Sequence, residues 1–113
     1  MIQADVVLDQ AGLLRACRVV GHAGAGKRGY DIVCAAVTVL TRTIIRVLSG
    51  RKGIAVRGIP DKGNFYIETE YTPEGREFLD AAGAFLIEGL NSVSEEFPDY
   101  CRVTIERRNS YGT

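Results

Sequence analysis

Two prolines, Pro73 and Pro98, bracket a stretch in which Phe78, Ala82, Phe85, Leu86, Leu90, Val93 and Phe97 recur on one helical stripe. Thr72 stands before Pro73 as an N-cap, with proline at the first helical position, where its missing N–H is tolerated. Pro98 cannot continue the helix. The stretch therefore predicts an amphipathic helix to about Phe97, and such a helix must bury its stripe against a second layer. That layer is written at the other end of the chain. Ile2, Ala4, Val6 and Leu8 alternate with Gln3, Asp5 and Asp9, the period-two pattern of a half-buried strand.

The remaining elements follow from their punctuation. Asp9-Gln10-Ala11-Gly12 is turn chemistry, so residues 13 to 22 return as the second strand of a hairpin. Residues 23 to 30 hold three glycines and read as a loop. Asp31 then offers an N-cap for a helix from Ile32 to about Ser49, ended by Gly50. This first helix is apolar on most sides, which predicts burial against the sheet and against something else, such as a second subunit. Ile54 to Ile59 and Asn64 to Tyr71 read as strands around a Pro60-Asp61-Lys62-Gly63 turn, and Tyr100 to Arg107 as a last strand. The expected fold is α+β in the order ββαββαβ: a mostly antiparallel sheet with two helices packed on one face, formed by residues 1–113 as one domain.

Lys and Arg number 14 and Asp and Glu 14, so the chain is formally neutral and carries no overall basic excess for nucleic acid. Asp5 and the lack of an apolar run near the N-terminus argue against a signal peptide, and no stretch reaches the about 18 apolar residues of a membrane span. A cytoplasmic protein is the expectation. Three widely spaced cysteines make no disulfide framework, and one histidine without a CxxC argues against structural zinc. No metal or nucleotide cofactor is expected.

The glycine segment matches two phosphate-binding patterns loosely. Gly21 to Lys27 fits GxxxxGK, but the next residue is Arg28, which has no hydroxyl for Mg²⁺. Gly24 to Gly29 fits GxGxxG, yet about 20 residues on lie Gly50-Arg51-Lys52 instead of an acid. The same segment brackets a more specific pair. His22, the only histidine, precedes the loop, and Cys34 follows it. A thiol nucleophile needs a base or a positive environment, and imidazole titrates in the right range. With Asp31 as N-cap, Cys34 would be the third helical residue, where the helix terminus favours a thiolate. Asp31 either caps the helix or orients His22. Thr38, one turn after Cys34, either bonds the Cys34 carbonyl or touches the site through its hydroxyl. The other reading of Cys34 is a small core residue, as for Cys17 and Cys101 in their strand patterns.

The run Gly21-His22-Ala23, then Gly24-Ala25-Gly26-Lys27-Arg28-Gly29-Tyr30-Asp31-Ile32-Val33-Cys34-Ala35-Ala36-Val37, resembles the signature of the ribosomal-processing cysteine proteases, the Prp family. The resemblance implies a cysteine endopeptidase with His22 as base and Cys34 as nucleophile, supported by Asp31, Thr38 and Gly21. It implies a mobile loop over the substrate that includes Ala23, Gly24, Gly26 and Gly29. It also implies a homodimer, and as substrate the N-terminal extension of large-subunit ribosomal protein twenty-seven. Thr38 stands where the family usually has serine, so the hydroxyl is kept and a methyl added. The alternative is a non-catalytic ribosome-assembly factor that binds ribosomal protein.

Overall fold

The computed structural model describes residues 1–21, 28–61 and 64–109. The elements run β1 (Ile2–Leu8), β2 (Leu14–Val20), α1 (Arg28–Leu48), β3 (Ile54–Asp61), β4 (Asn64–Tyr71), a short 3₁₀ turn (Pro73–Gly75), α2 (Arg76–Glu96) and β5 (Cys101–Arg107). The five strands form one sheet in the order β3-β4-β2-β1-β5. Neighbours pair antiparallel except β1 and β5, which run parallel from Ile2↔Cys101 to Leu8↔Arg107. The α+β order expected from periodicity is the order observed.

Strand alternation gives the sheet two unlike faces. Ile2, Ala4, Val6, Cys17, Val19, Phe65, Ile67 and Cys101 are buried together with Val33, Val37, Ile44 and Leu48 of α1 and Leu79, Leu86 and Leu90 of α2. Both helices therefore cover this face, α1 over β3 and α2 over β2 and β5. The helices run side by side, and Gly89 permits their approach: a Cβ there would stand 2.6 Å from a Leu40 methyl. The opposite face carries Asp5, Arg18, Tyr66, Thr104, Glu106 and Arg108, a polar surface that no helix covers among the described residues. Among the described residues no helix is long and apolar enough to cross a membrane.

Four boundaries differ from the expectations. Strand β2 runs from Leu14 to Val20 rather than over residues 13 to 22. Helix α1 begins at Arg28, so Gly29 and Tyr30 belong to its first turn and Asp31 is an interior residue rather than the N-cap. Strand β3 continues through Pro60 and Asp61, which pair with Phe65 and Asn64; Lys62 and Gly63, the rest of the expected turn, lie outside the described residues. Proline is tolerated there because β3 is an edge strand. Pro73 opens a 3₁₀ turn instead of α2 itself, with Thr72 in extended conformation at its cap position.

The first turn contains a buried carboxylate. Asp9 is 1% exposed. Its Oδ1 accepts the N–H groups of Ala11 and Leu13 at 2.9 and 3.0 Å, and its Oδ2 accepts the Tyr71 hydroxyl at 2.6 Å. Arg15 Nη1 lies 3.9 Å from Oδ2, while Arg15 Nε donates to the Thr69 carbonyl at 2.9 Å. The local part of this arrangement is an Asx turn; the rest ties the β1–β2 turn to the end of β4.

Candidate active site

Helix α1 buries Val33, Val37, Thr41, Ile44 and Leu48. At 100° per residue, the positions one before these and one after them lie on opposite flanks. Leu40, Thr43 and Val47, one before, line the groove against α2. Cys34, Thr38 and Ile45, one after, occupy the flank turned away from α2. Cys34 is half-buried there and packs against the core. Thr38 shares its face, as the spacing required, and is also half-buried. Its backbone carbonyl accepts the Thr41 hydroxyl at 3.2 Å.

Starting α1 at Arg28 moves Cys34 from the third helical residue to the seventh. It lies in the second turn, past the free N–H groups and the strongest terminal field, which are confined to the first turn. Any stabilisation of a Cys34 thiolate by the helix terminus is therefore weaker than its expected place in the first turn implied.

Gly21 closes β2 at φ +138°. A Cβ at this position would stand 2.5 Å from the Met1 carbonyl oxygen and 2.8 Å from Ile2 Cα. Glycine is thus needed both for the backbone conformation and for the close approach to the start of β1. It sets where the chain leaves the sheet immediately before His22. His22, Ala23, Gly24 and Gly26 lie outside the described residues. Of the loop expected at 23–30, Gly29 falls within α1; the side chain of Asp31 is also outside what is described.

The three thiols have unlike surroundings. Cys17 is fully buried, and burial, with the charge of Asp5 adding to it, pushes its thiol up to about 12. Burial also raises the Cys101 thiol. Such thiols stay protonated and inert near neutrality. In the native protein, a disulfide reagent such as dithiobis-nitrobenzoate is expected to titrate Cys34 quickly, and Cys17 and Cys101 only after unfolding. Fast native reaction of more than one thiol would contradict this assignment. Among the described residues, no three His, Cys, Asp or Glu side chains are grouped to hold a metal ion.

The Asp9–Tyr71–Arg15 cluster was missed by sequence reasoning. Asp9 was legible only as a turn residue, because Tyr71 is 62 positions away. It lies where α1 ends and α2 begins, far from Cys34, and its role is structural.

Comparisons with known proteins agree with this layout. Residues 1–102 match the family model described as cysteine protease Prp. The chain is 29% identical over 109 residues to the ribosomal processing cysteine protease Prp of Bacillus subtilis, covering 92% of this chain and 96% of that one. The SMU.848 structure from Streptococcus mutans superposes with a TM-score of 0.72 at 25% identity, covering 96% of both chains. The Prp protease of S. aureus, solved in complex with a substrate peptide, shares the fold at a TM-score of 0.77 and 20% identity, over 93% of this chain and 99% of that one. With its fold and a family match running through both Gly21 and Cys34, the chain belongs to the Prp family of cysteine proteases.

Proposed function

We propose that Cys34 is the nucleophile and His22 the base in hydrolysis of a peptide bond that releases the N-terminal extension of large-subunit ribosomal protein twenty-seven, in the cytoplasm. The observation that carries this reading is the contrast among the thiols: Cys17 and Cys101 are sealed in the core, while Cys34 is only half-buried, on the flank of α1 turned away from α2. His22 takes the Cys34 proton, and the thiolate sulfur attacks the scissile carbonyl carbon. The C–N bond breaks as the protonated His22 delivers its proton to the leaving amine. Water, losing a proton to His22, then cleaves the thioester and frees the carboxylate and the thiol. Asp31 and Thr38 stand in this reading as supporting residues, and Ala23, Gly24, Gly26 and Gly29 as the substrate loop.

The test is to incubate the protein with the host's own ribosomal protein twenty-seven, carrying its extension, beside a Cys34→Ala variant. Mass spectrometry should show N-terminal shortening with the wild type alone. An intact substrate in both samples would favour the assembly-factor reading, in which the protein binds ribosomal protein without cutting it.

The enzyme is further proposed to act as a homodimer joined through its helical layer. Ile32, Val39, Val47 and Phe85 are 57%, 57%, 42% and 66% exposed on the outer side of α1 and α2. They flank a groove of about 360 Å³ that includes Leu40, Phe78 and Ala81. On one side of this apolar strip α1 exposes Arg42 and Arg46; on the other, α2 exposes Glu77, Glu88 and Glu95. A two-fold axis through the strip sets the basic flank of each copy against the acidic flank of the other, which is the self-complementarity an isologous interface requires. Phe85→Lys should give a monomer by light scattering with an unchanged far-UV spectrum. A dimer surviving that change would place the interface elsewhere.

A further inference from the structure

We infer that the substrate binds as an extended peptide along the open edge of β3, pairing with it as a sixth strand and presenting its scissile bond to Cys34. The inference rests on Cys34 being the nucleophile and adds where and in what conformation the substrate lies.

Strand β3 is an end of the sheet, so among the described residues one side of its backbone has no strand beside it. Natural edges are usually defended by charges or short length. The other edge, β5, is defended: Arg102, Glu106 and Arg107 lie along it. Strand β3 is eight residues long and ends in Pro60 and Asp61; the stretch Ile54-Ala55-Val56-Arg57-Gly58-Ile59 before them contains a single charge. That charge, Arg57, is turned along the sheet toward Glu68 on β4, at 3.4 Å. The six-residue stretch ahead of Pro60 is a template for an added strand.

The edge also lies beside the nucleophile. Strands β2 and β3 are both antiparallel to β4 and so run in the same direction. Helix α1 returns from the end of β2 and crosses above β3. Its first turns therefore lie over the second half of β3, near Gly58 and Ile59. The flank of α1 that carries Cys34 and Thr38 is the one away from α2, which is the β3 side. By strand parity Ile54, Val56 and Gly58 point toward α1, their cross-strand partners being Tyr71, Thr69 and Ile67. Ile54 and Val56 fill the space beneath α1 and pack on the core. Gly58 places no side chain between the edge and the Cys34 flank. Its backbone lies so close to β4 that a Cβ would collide with the Tyr66 carbonyl oxygen and Ile67 Cα, so only glycine fits there. A peptide paired with the edge puts alternate side chains on the face beside the Cys34 flank and its backbone carbonyls at the level of Cys34.

The test uses a peptide spanning the N-terminal segment of ribosomal protein twenty-seven. It is bound to the Cys34→Ala protein for amide hydrogen exchange and supplied to the wild type for cleavage in parallel. On binding, alternate amides within residues 54–59 are expected to slow roughly tenfold, with β5 unchanged. N-methylation of the peptide should raise KM roughly tenfold at alternate positions and little at those between, because only every other peptide N–H faces the edge. Cleavage without protection in β3, or protection in β5 instead, overturns the edge site and leaves the protease reading standing. Protection of β3 that rises with protein concentration and needs no peptide also overturns it, by making the edge a contact between copies. No binding together with no cleavage overturns the protease reading and the edge site with it.

Discussion

Replacing His22 with Ala is expected to lower the cleavage rate roughly 10²–10⁴-fold, the usual contribution of a positioned general base, while leaving the melting temperature unchanged. The basis is the position of Cys34 in the second turn of α1, where the helix terminus gives its thiol little assistance. Alkylation of Cys34 by iodoacetamide as a function of pH separates this from a structural effect. The rate near neutral pH should be higher in the wild type than in His22→Ala. Cys34→Ala should remove cleavage and alkylation together. A His22→Ala protein that cleaves at wild-type rate, with the same alkylation profile, would reassign the base.

Replacing Asp9 with Ala is expected to cost about 3 kcal/mol, equivalent to a drop of roughly 10 °C or more in melting temperature for a chain of this size. The substitution removes the acceptor of the Ala11 and Leu13 N–H groups and of the Tyr71 hydroxyl, leaving the buried Leu13 N–H unpaired, and takes away the carboxylate beside Arg15. The same cluster sets an acid limit on the fold. Burial works to raise the Asp9 carboxyl, but the hydrogen bonds from Tyr71, Leu13 and Ala11, with the Arg15 charge, outweigh it and hold Asp9 below its ordinary value. The folded state therefore binds this proton less readily than the unfolded chain. The resulting stability is present above the unfolded carboxylate range and is lost as pH falls through the lowered folded value. Tyr71 shows the opposite sign: its hydrogen bond to Asp9 and its burial raise it, so its contribution holds below about pH 10 and fades in alkali. Urea denaturation of wild type and Asp9→Ala from pH 3 to 7 tests this. The two curves should converge toward low pH, and a constant offset would contradict the assignment.

Periodicity reported the elements well because both helices and the strands carry their apolar residues at clear spacing. It reported boundaries less well where local composition and tertiary context disagree. Arg28-Gly29-Tyr30 looks like a loop because glycine disfavours helix, yet it forms the first turn of α1. Pro60 looks like a turn residue, yet an unpaired edge accommodates it. The candidate site was legible as residue types, a lone histidine and a cysteine around a glycine segment. The flank on which Cys34 emerges was not, because it depends on which side of α1 meets α2. Neither was the role of Gly21, since its requirement for glycine arises from Met1 and Ile2, across the sheet rather than along the chain.

The parallel pairing of β1 with β5 has a consequence for synthesis. Strand β1 emerges from the ribosome first and β5 last, yet Ile2 donates its N–H to the Tyr100 carbonyl at 2.8 Å and pairs with Cys101. Gly21 rests against that same first segment of β1, so the point from which the His22 segment departs gains its outer support only when the last strand has cleared the exit tunnel. Contacts of such long sequence separation form late. A nascent chain is thus expected to stay proteolytically silent until β5 has emerged and paired with β1.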